Sequence, residues 1–348
     1  MKKSKKILIA AAAVVLCLAI VCGVGYAVLR GRVPANRDDV QKRSDFVAQR
    51  MYAVSMMPNE DEGAYETETL TGIDRYWRAN HSVGRGIEAV LQCSKDGELV
   101  VLSGDLPGES NAEILYGEDV KVSDLTLDKL QKINLLYNVE DEDGFMTYRT
   151  ISDRTVLYVS VQSLQDYIAG FALSTKSVAL HFLRFKDESA LPDLHKAIDK
   201  VNEAVKGSGI ATNVVLCLES DEGAAYADAT YPELQRAATP KECAKLSRAA
   251  LFGRDMTDTK YVLVYTDANG KYAREQFIRF AQNCGLAVVL YDNGAIDAEK
   301  DAQRILALEE YGASGFATRR PETVIQILRD ARQAEKESRL AADSTAAQ

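Results

Sequence analysis

Beyond about position 50, short apolar runs alternate with longer stretches of helical periodicity. The apolar runs are rich in Val, Ile and Leu at consecutive positions, which is typical of parallel strands covered on both faces. The longer stretches carry apolar residues at spacings of three and four and therefore predict amphipathic helices. Strands are predicted at residues 51–57, 87–93, 99–102, 156–161, 177–185, 213–218, 261–266, 286–291 and 315–317.

The predicted helices lie between these strands. A chain in which strands and helices alternate predicts a parallel sheet covered by helices. About eight such units favour a closed (β/α)8 barrel, the TIM barrel, over an open doubly wound sheet. We therefore expect an α/β barrel over residues 51–332, followed by a polar tail, residues 333–348, in which the last helix frays into disorder. Helices are predicted at residues 127–136, 164–174, 191–205, 273–284, 298–310 and 321–334.

One apolar segment is much longer than the others. The run from Ile7 to Leu29 has 23 residues without a charge, enough to cross a bilayer as a helix. Four lysines precede it and two arginines follow it, so the positive-inside rule places the N-terminus in the cytoplasm and the barrel outside the cell membrane. We expect residues 1–32 to be a basic tip with a transmembrane anchor and residues 33–50 to be a stalk. A cleaved signal peptide is the alternative, with a small-residue cleavage site ending at Ala27.

The balance of charges argues against nucleic acid as a partner. The chain has 348 residues, with 42 basic and 51 acidic side chains and a net charge of −9. Six of the basic side chains and none of the acidic ones lie in residues 1–32, so the remainder carries 36 basic and 51 acidic groups, a net charge of −15. A surface of this charge repels polyanions at long range, and we expect no nucleic-acid partner.

Four of the six cysteines follow the predicted anchor, at Cys93, Cys217, Cys243 and Cys284. None is spaced as Cys-x-x-Cys and the chain has only three histidines, which argues against a structural zinc site. Their apolar surroundings predict buried free thiols, although the sequence leaves one disulfide open.

Motifs at both ends of the predicted barrel are similar to those of one enzyme family. Residues 84–105 read GRGIEAVLQCSKDGELVVLSGD, residues 285–293 read GLAVVLYDN, and residues 312–321 read GASGFATRRP. They resemble the glycerophosphodiester phosphodiesterase family, whose patterns there are GxIExDVxxTKDGxxVVxHD, GxxVxWTVN and GVDGIITDRP. The motifs occur in the family's order, and the resemblance implies a TIM barrel over roughly residues 51–332.

The resemblance also implies a metal-dependent reaction, for which this chain lacks several residues. The family hydrolyses a phosphodiester with a divalent cation, Ca²⁺ or Mg²⁺, held by carboxylates, and with two histidines as acid and base. Glu88 stands at a ligand position of the motif, but Val90 replaces the aspartate two residues later. Ser103 and Gly104 replace the family's His-Asp pair, and Asp105 comes one position late.

A second carboxylate of the family pattern is replaced by a residue of opposite charge. A glutamate in a motif like Ile-Glu-Ile-Lys corresponds to Arg184, whereas the lysine is present as Lys186. If both side chains point into the barrel mouth, Arg184 takes the place of the cation and pairs with Glu88. The alternative is that Arg184 points to solvent at the end of its strand.

Other polar residues are candidates for the same site. Asp105 and Asp292 lie near predicted strand ends and, with Glu88, could rebuild a carboxylate cluster. Tyr291 and Asn293 stand where the family has an aromatic residue over the substrate. None of the three histidines, His81, His181 and His195, occupies a family histidine position, and we expect them at the surface or the edge of the core.

These observations leave two main functions open. In the first, the protein is a non-catalytic barrel without a metal cofactor, whose mouth binds a glycerophosphodiester, another small polar molecule or a partner. In the second, it is a divergent phosphodiesterase that hydrolyses glycerophosphodiesters, lipid head groups or wall polymers with Ca²⁺ or Mg²⁺. A scaffold without a ligand is a third reading. The second function would use Glu88, as metal ligand, and Asp105, whereas the first would use Ser103, Arg184, Lys186, Tyr291 and Asn293 to bind the ligand.

Overall fold

The computed structural model describes residues 42–56, 83–106, 110–135, 139–140, 146–147, 160–172, 179–252, 256, 259–292, 294 and 298–346. The predicted anchor lies outside these residues, as do the first half of the predicted stalk, His81 and Asn293. Among the described residues, no helix has the length and apolar character needed to cross a membrane.

The described strands are short, and most are buried. In chain order they are β1 (Tyr52–Ser55), β2 (Gly84–Cys93), β3 (Leu99–Val101), β4 (Val139–Glu140), β5 (Met146–Thr147), β6 (Gln162–Ser163), β7 (Leu180–Phe185), β8 (Val214–Cys217), β9 (Leu263–Asp267), β10 (Ala287–Asp292) and β11 (Gly315–Thr318).

The described helices lie mainly between the parallel strands. They are α1 (Ala112–Tyr116), α2 (Leu127–Leu130), α3 (Leu164–Ala172), α4 (Leu194–Val205), α5 (Asp221–Thr230), α6 (Pro240–Phe252), α7 (Glu275–Asn283), α8 (Ala298–Tyr311) and α9 (Pro321–Ala346).

Seven strands run parallel to one another in the order β8-β7-β2-β1-β11-β10-β9. Two residues close the gap between β8 and β9: Arg236 pairs with Leu216 of β8, and Ala237 pairs with Leu263 of β9, both in parallel. The ring is therefore complete, with an eighth position only two residues long. This arrangement confirms the predicted TIM-like α/β barrel.

The segment that follows β2 adds antiparallel strands to the parallel sheet. Strand β3 pairs antiparallel with the end of β2, and β6 pairs antiparallel with β3, while β4 and β5 form a separate hairpin-like pair. The strand predicted at residues 156–161 lies mostly outside the described residues. At its described end, Ser160 forms an isolated antiparallel bridge with Asn134, unlike the parallel pairing expected of a ring strand.

Side chains of the ring alternate between two cores. The inward-facing ones, among them Val54, Phe182 and Val289, form a core inside the barrel, while the outward-facing ones pack against the helices. The inner core is tightly filled. At Gly86, an added Cβ would lie 2.5 Å from Cγ2 of Val54 and 3.1 Å from the ring of Phe182, so only glycine fits there.

Two helices end far from the positions predicted for them. Helix α2 ends at Leu130, because the following residues form turns instead of continuing the helix to residue 136. Helix α9 continues to Ala346, through the tail that was expected to fray. After Pro321 it contains neither Gly nor Pro, and ion pairs such as Arg339 with Glu335 link successive turns.

Candidate functional site

A partly buried ion pair joins two neighbouring strands of the ring. Glu88 of β2 and Arg184 of β7 both face into the barrel mouth, and Nη2 of Arg184 donates to Oε1 of Glu88 at 3.1 Å. The Glu88 side chain is 3% exposed and that of Arg184 is 32% exposed. Of the two orientations considered for Arg184, the structure therefore has the one that points inward.

Tyr265 of β9 completes this cluster. Its hydroxyl group donates to Oε2 of Glu88, so each carboxylate oxygen has a donor. Burial, reinforced by the Glu88 charge, raises the pKa of Tyr265 well above its ordinary value. Burial alone would lower the pKa of Arg184, but the Glu88 carboxylate more than offsets this effect and the pKa of Arg184 is raised. The charged guanidinium group of Arg184 and the neutral phenol of Tyr265 thus both face Glu88.

Stacked aromatic rings hold Tyr265 in position. The ring centroids of Phe182 and Tyr265 are 5.6 Å apart, and those of Tyr265 and Tyr291 are 5.1 Å apart. Phe46, which precedes β1, packs edge-on against Phe182 at 5.2 Å. This column fixes the Tyr265 hydroxyl group against Glu88, because aromatic contacts of this kind are directional.

A cavity of about 380 Å³ opens above the cluster. It has the size of a small-molecule site and combines charged, phenolic and apolar groups. Of the predicted site residues, Glu88, Arg184 and Tyr291 line it. The full lining comprises Met56, Glu88, Arg184, Cys217, Leu218, Glu219, Ala237, Ala238, Pro240, Cys243, Tyr265, Thr266, Tyr272 and Tyr291.

Sequence reasoning missed Tyr265 and Glu219. Tyr265 lies near the end of a predicted apolar strand, two residues after Leu263, which faces inward, so strand alternation alone could have placed it in the mouth. Glu219 lies two residues after the end of β8, and its backbone N–H donates to the carboxylate of Glu188 at 2.6 Å. No sequence motif marks that contact.

Three other predicted residues lie away from the cavity lining. Nζ of Lys186 donates to Oδ1 of Asp105 at 2.7 Å, and these side chains are 37% and 88% exposed. The hydrogen bond and charge of Lys186 lower the pKa of Asp105. Ser103 is half-buried near this pair and is also absent from the lining. Asp105 is thus not brought to Glu88, and Asn293 lies outside the described residues.

The expected carboxylate cluster does not form. Asp292 accepts hydrogen bonds from the backbone N–H of Gly294 at 3.0 Å and from Nδ2 of Asn269 at 3.4 Å, separately from Glu88. In the described ranges, no group of three or more His, Cys, Asp or Glu side chains is arranged to hold a metal ion.

The residues at the mouth do not fit the divalent cation that the resemblance implies. Both oxygens of Glu88 accept hydrogen bonds from Arg184 and Tyr265. The guanidinium group supplies the positive charge beside the carboxylate, and Val90 offers no oxygen ligand. A Ca²⁺ or Mg²⁺ site needs several oxygen ligands, so this donor set is inadequate.

The two described histidines have structural surroundings. His181 is fully buried on the outer face of β7, where its Nδ1 shares a hydrogen bond of 2.8 Å with the Tyr167 hydroxyl group. His195 stacks on Tyr226 with the ring centroids 4.0 Å apart. Neither lines the cavity, and neither can serve there as an acid or base.

All four described cysteines are free thiols. Cys217, Cys243 and Cys284 are buried and Cys93 is half-buried. The structure thus contains the free thiols that the sequence pattern predicts. Burial raises the pKa of Cys217, which makes it an unreactive thiol although it lines the cavity.

Comparisons with known proteins identify the fold. No family model and no curated protein matches the chain. Among similar solved structures is a protein assigned as a glycerophosphoryl diester phosphodiesterase from Silicibacter pomeroyi DSS-3, with 16% identity and a TM-score of 0.58 over 82% of this chain and 95% of that chain. A glycerophosphoryl diester phosphodiesterase from Parabacteroides distasonis ATCC 8503 has 14% identity and a TM-score of 0.57 over 85% of this chain and 93% of that chain. A glycerophosphoryl diester phosphodiesterase domain from Mycobacterium tuberculosis has 16% identity and a TM-score of 0.54 over 80% of this chain and 98% of that chain. The chain thus has the fold of the glycerophosphodiester phosphodiesterases, which confirms the resemblance seen in its motifs.

Proposed function

We propose that the protein is a ligand-binding barrel of this fold that does not hydrolyse phosphodiesters. The observation that supports this proposal is the pairing of Glu88 with Arg184 and Tyr265. A metal-dependent phosphodiesterase needs its carboxylates free to bind the cation that polarises the phosphate. Here the carboxylate is already neutralised by a residue of the same chain.

The ligand would be a small polar molecule with an anionic group, such as glycerol 3-phosphate or a glycerophosphodiester. Arg184 has five N–H donors, and its side chain is one-third exposed towards the cavity. Among the described residues, its one hydrogen bond is that from Nη2 to Glu88. The remaining donors suit a phosphate or carboxylate group, and Tyr291 would form one wall of the site.

We further propose that the barrel is held at the outer face of the cell membrane. The support is the charge-free run from Ile7 to Leu29 with its flanking basic residues. Twelve residues, 30–41, then connect this run to Lys42. Flotation of the full chain with lipid vesicles, together with protease accessibility of the barrel in whole cells, tests this location. A barrel that remains soluble, or that is protected inside cells, would contradict it.

The decisive experiment measures hydrolysis and binding with the same preparation. The full chain is incubated with glycerophosphodiesters and Ca²⁺, Mg²⁺ or chelator, and release of glycerol 3-phosphate is followed. We expect no release. Cation-dependent release that is lost in Glu88→Gln would instead establish the divergent phosphodiesterase.

Calorimetry with glycerol 3-phosphate measures binding. We expect Arg184→Met to weaken binding by about tenfold or more, because a charge-assisted contact is lost. Arg279→Met is the matched control, since Arg279 pairs with Glu275 on the exposed face of α7. A wild-type chain that binds neither the phosphate nor the diester would favour a scaffold without a ligand.

A further inference from the structure

The cavity has two halves that differ in chemistry. Successive side chains of a strand point to opposite faces, so the cavity is lined from both faces of the sheet. Arg184 and Tyr265 face into the barrel, whereas Thr266, one residue after Tyr265, faces outward. We call the inward part, around Glu88 and Arg184, the mouth half. The outward part, between the ring and the start of α6, is called the lateral half and is lined by Leu218, Ala238, Cys243, Thr266 and Tyr272.

The lateral half exists because the wall of the ring is only two residues long at its eighth position. In a regular barrel, outward-facing side chains are sealed off from the mouth by a full strand and its helix. Here only Arg236 and Ala237 stand between β8 and β9, and α6 begins at Pro240. Ala237 faces the barrel interior and Ala238 faces the helices, and both side chains are small. The cavity therefore passes over this point from the mouth towards α6.

The walls of the lateral half are mostly apolar. Leu218, Ala238 and Cys243 are buried members of the core between the ring and the helices. Tyr272 packs its ring on that of Phe277, with the centroids 5.0 Å apart. The charged groups of the cavity lining lie elsewhere: Glu88 and Arg184 are in the mouth half, and Glu219 is exposed.

We propose that the lateral half is a second subsite, which takes a compact apolar group of a ligand whose anionic head binds at Arg184. The ligand class is thus an amphiphilic phosphate ester with a short alkyl or aryl substituent. The total volume of about 380 Å³ has room for a head and one such group, but not for a long acyl chain. This inference rests on the proposed function, because it places the head at the mouth half.

The test compares two probes on the full chain in lipid nanodiscs. Glycerol 3-phosphate offers the head with a polar substituent, and benzyl phosphate offers the head with an apolar ring. We expect calorimetry to show that benzyl phosphate binds roughly tenfold more tightly, since burying a ring removes apolar surface from water. Ala238→Leu fills the lateral half and should abolish this difference.

Two further variants keep the test decisive. Cys243→Met fills the lateral half from the opposite wall and should act like Ala238→Leu if that variant folds poorly. Ala244→Leu, the next residue on α6 and not part of the lining, is the size-matched control and should keep the tenfold preference.

The outcomes separate the two proposals. Equal affinity for both probes, or a preference that neither wall variant reduces, would overturn the lateral subsite while leaving ligand binding at the mouth intact. A chain that binds neither probe would overturn both the subsite and the proposed binding function.

Discussion

Two arginines, each paired with carboxylates, show what distinguishes a structural guanidinium group from one that can bind a ligand. Arg236, in the short eighth position of the ring, is 2% exposed and donates twice to Asp228 and twice to Glu242, at 2.7–2.9 Å, and once to the carbonyl oxygen of Ala237 at 3.0 Å. Arg184, in the barrel mouth, is 32% exposed and makes one hydrogen bond to one carboxylate within the described ranges.

The difference lies in how completely each group is satisfied. All five N–H groups of Arg236 donate to protein acceptors. These bonds hold the short segment between β8 and β9 in place, where a full strand is missing. The N–H groups of Arg184 that do not bind Glu88 face the cavity. The charges are similar, but the first arrangement stabilises the fold and the second offers donors to a ligand.

The largest effect is expected from removing the saturated arginine. Arg236→Met leaves two carboxylates without their partner and should lower the free energy of unfolding by about 3–5 kcal/mol. Urea unfolding followed by circular dichroism measures this change. Arg279→Met, which breaks only the exposed pair with Glu275, should cost less than about 1 kcal/mol. Equal losses in both variants would mean that the Arg236 hub does not hold the ring.

A smaller loss of stability is expected at the mouth. Arg184→Met should cost about 1–3 kcal/mol, because Glu88 keeps its hydrogen bond from Tyr265 and water can reach the vacated side. Adding Glu88→Gln should restore most of this loss, since the unpaired buried charge is then removed. A double variant that is no more stable than Arg184→Met would contradict the coupling between the two residues.

His181, on the outer face of β7, predicts that the stability of the protein depends on pH. Burial lowers the pKa of His181 to about 3, whereas an unfolded histidine titrates near 6.5. Above pH 6.5 both states are neutral at this site. As the pH falls below 6.5, the unfolded state binds a proton that the folded state does not, and stability decreases by about 1 kcal/mol at pH 5.5.

Comparison with a variant isolates the contribution of His181. In His181→Phe the loss of unfolding free energy between pH 7.5 and 5.5 should be smaller by that amount, whereas His195→Gln, at an exposed position, should behave like wild type. Identical pH profiles for wild type and His181→Phe would show that His181 is protonated without cost in the folded state.

The smallest effect is expected at the exposed pair outside the cavity. Lys186→Ala should change the free energy of unfolding by less than about 0.5 kcal/mol, because the pair with Asp105 is open to solvent. The pKa of Asp105, followed by NMR, should rise towards its ordinary value when Lys186 is removed. A large loss of stability would contradict this expectation and show that the pair of Lys186 with Asp105 stabilises the fold.

Most apolar runs predicted as strands do form the ring, but Leu99–Val101 pairs antiparallel outside it, and Ser160, at the described end of the run 156–161, forms a bridge with Asn134. The pairing of Glu88 with Arg184 was one of two orientations that the sequence allowed, because the family motifs place both residues on strands of the barrel but do not show where the Arg184 side chain points. The sequence could not locate the eighth ring position, since Arg236 and Ala237 form no apolar run and Arg236 is itself charged. Their burial depends on Asp228 and Glu242, which become close to Arg236 only in the folded chain.

Distant contacts also explain the residues that were misplaced. Asp105 has a family-like position in the chain, yet its partner is Lys186, on the surface. Tyr265 joins Glu88 across 177 positions of sequence. Strand alternation could have placed Tyr265 in the mouth, but it does not identify Glu88 as its partner. The helical state of residues 333–346 is favoured by good helix formers and ion pairs along the surface, although the same polar composition suggested disorder.

The two-residue eighth position also determines how the barrel moves. Four backbone hydrogen bonds join this segment to its neighbours: Leu216 N–H to Gln235 O, Ala237 N–H to Leu216 O, Ala238 N–H to Leu263 O, and Val262 N–H to Arg236 O. Each side of the segment thus has only two backbone hydrogen bonds, and the side chain of Arg236 supplies its other contacts, so we expect local opening here to depend on Arg236. These four amides should exchange with deuterated water faster than those between β10 and β11, so the ring would open along this segment, next to the cavity, before it unfolds.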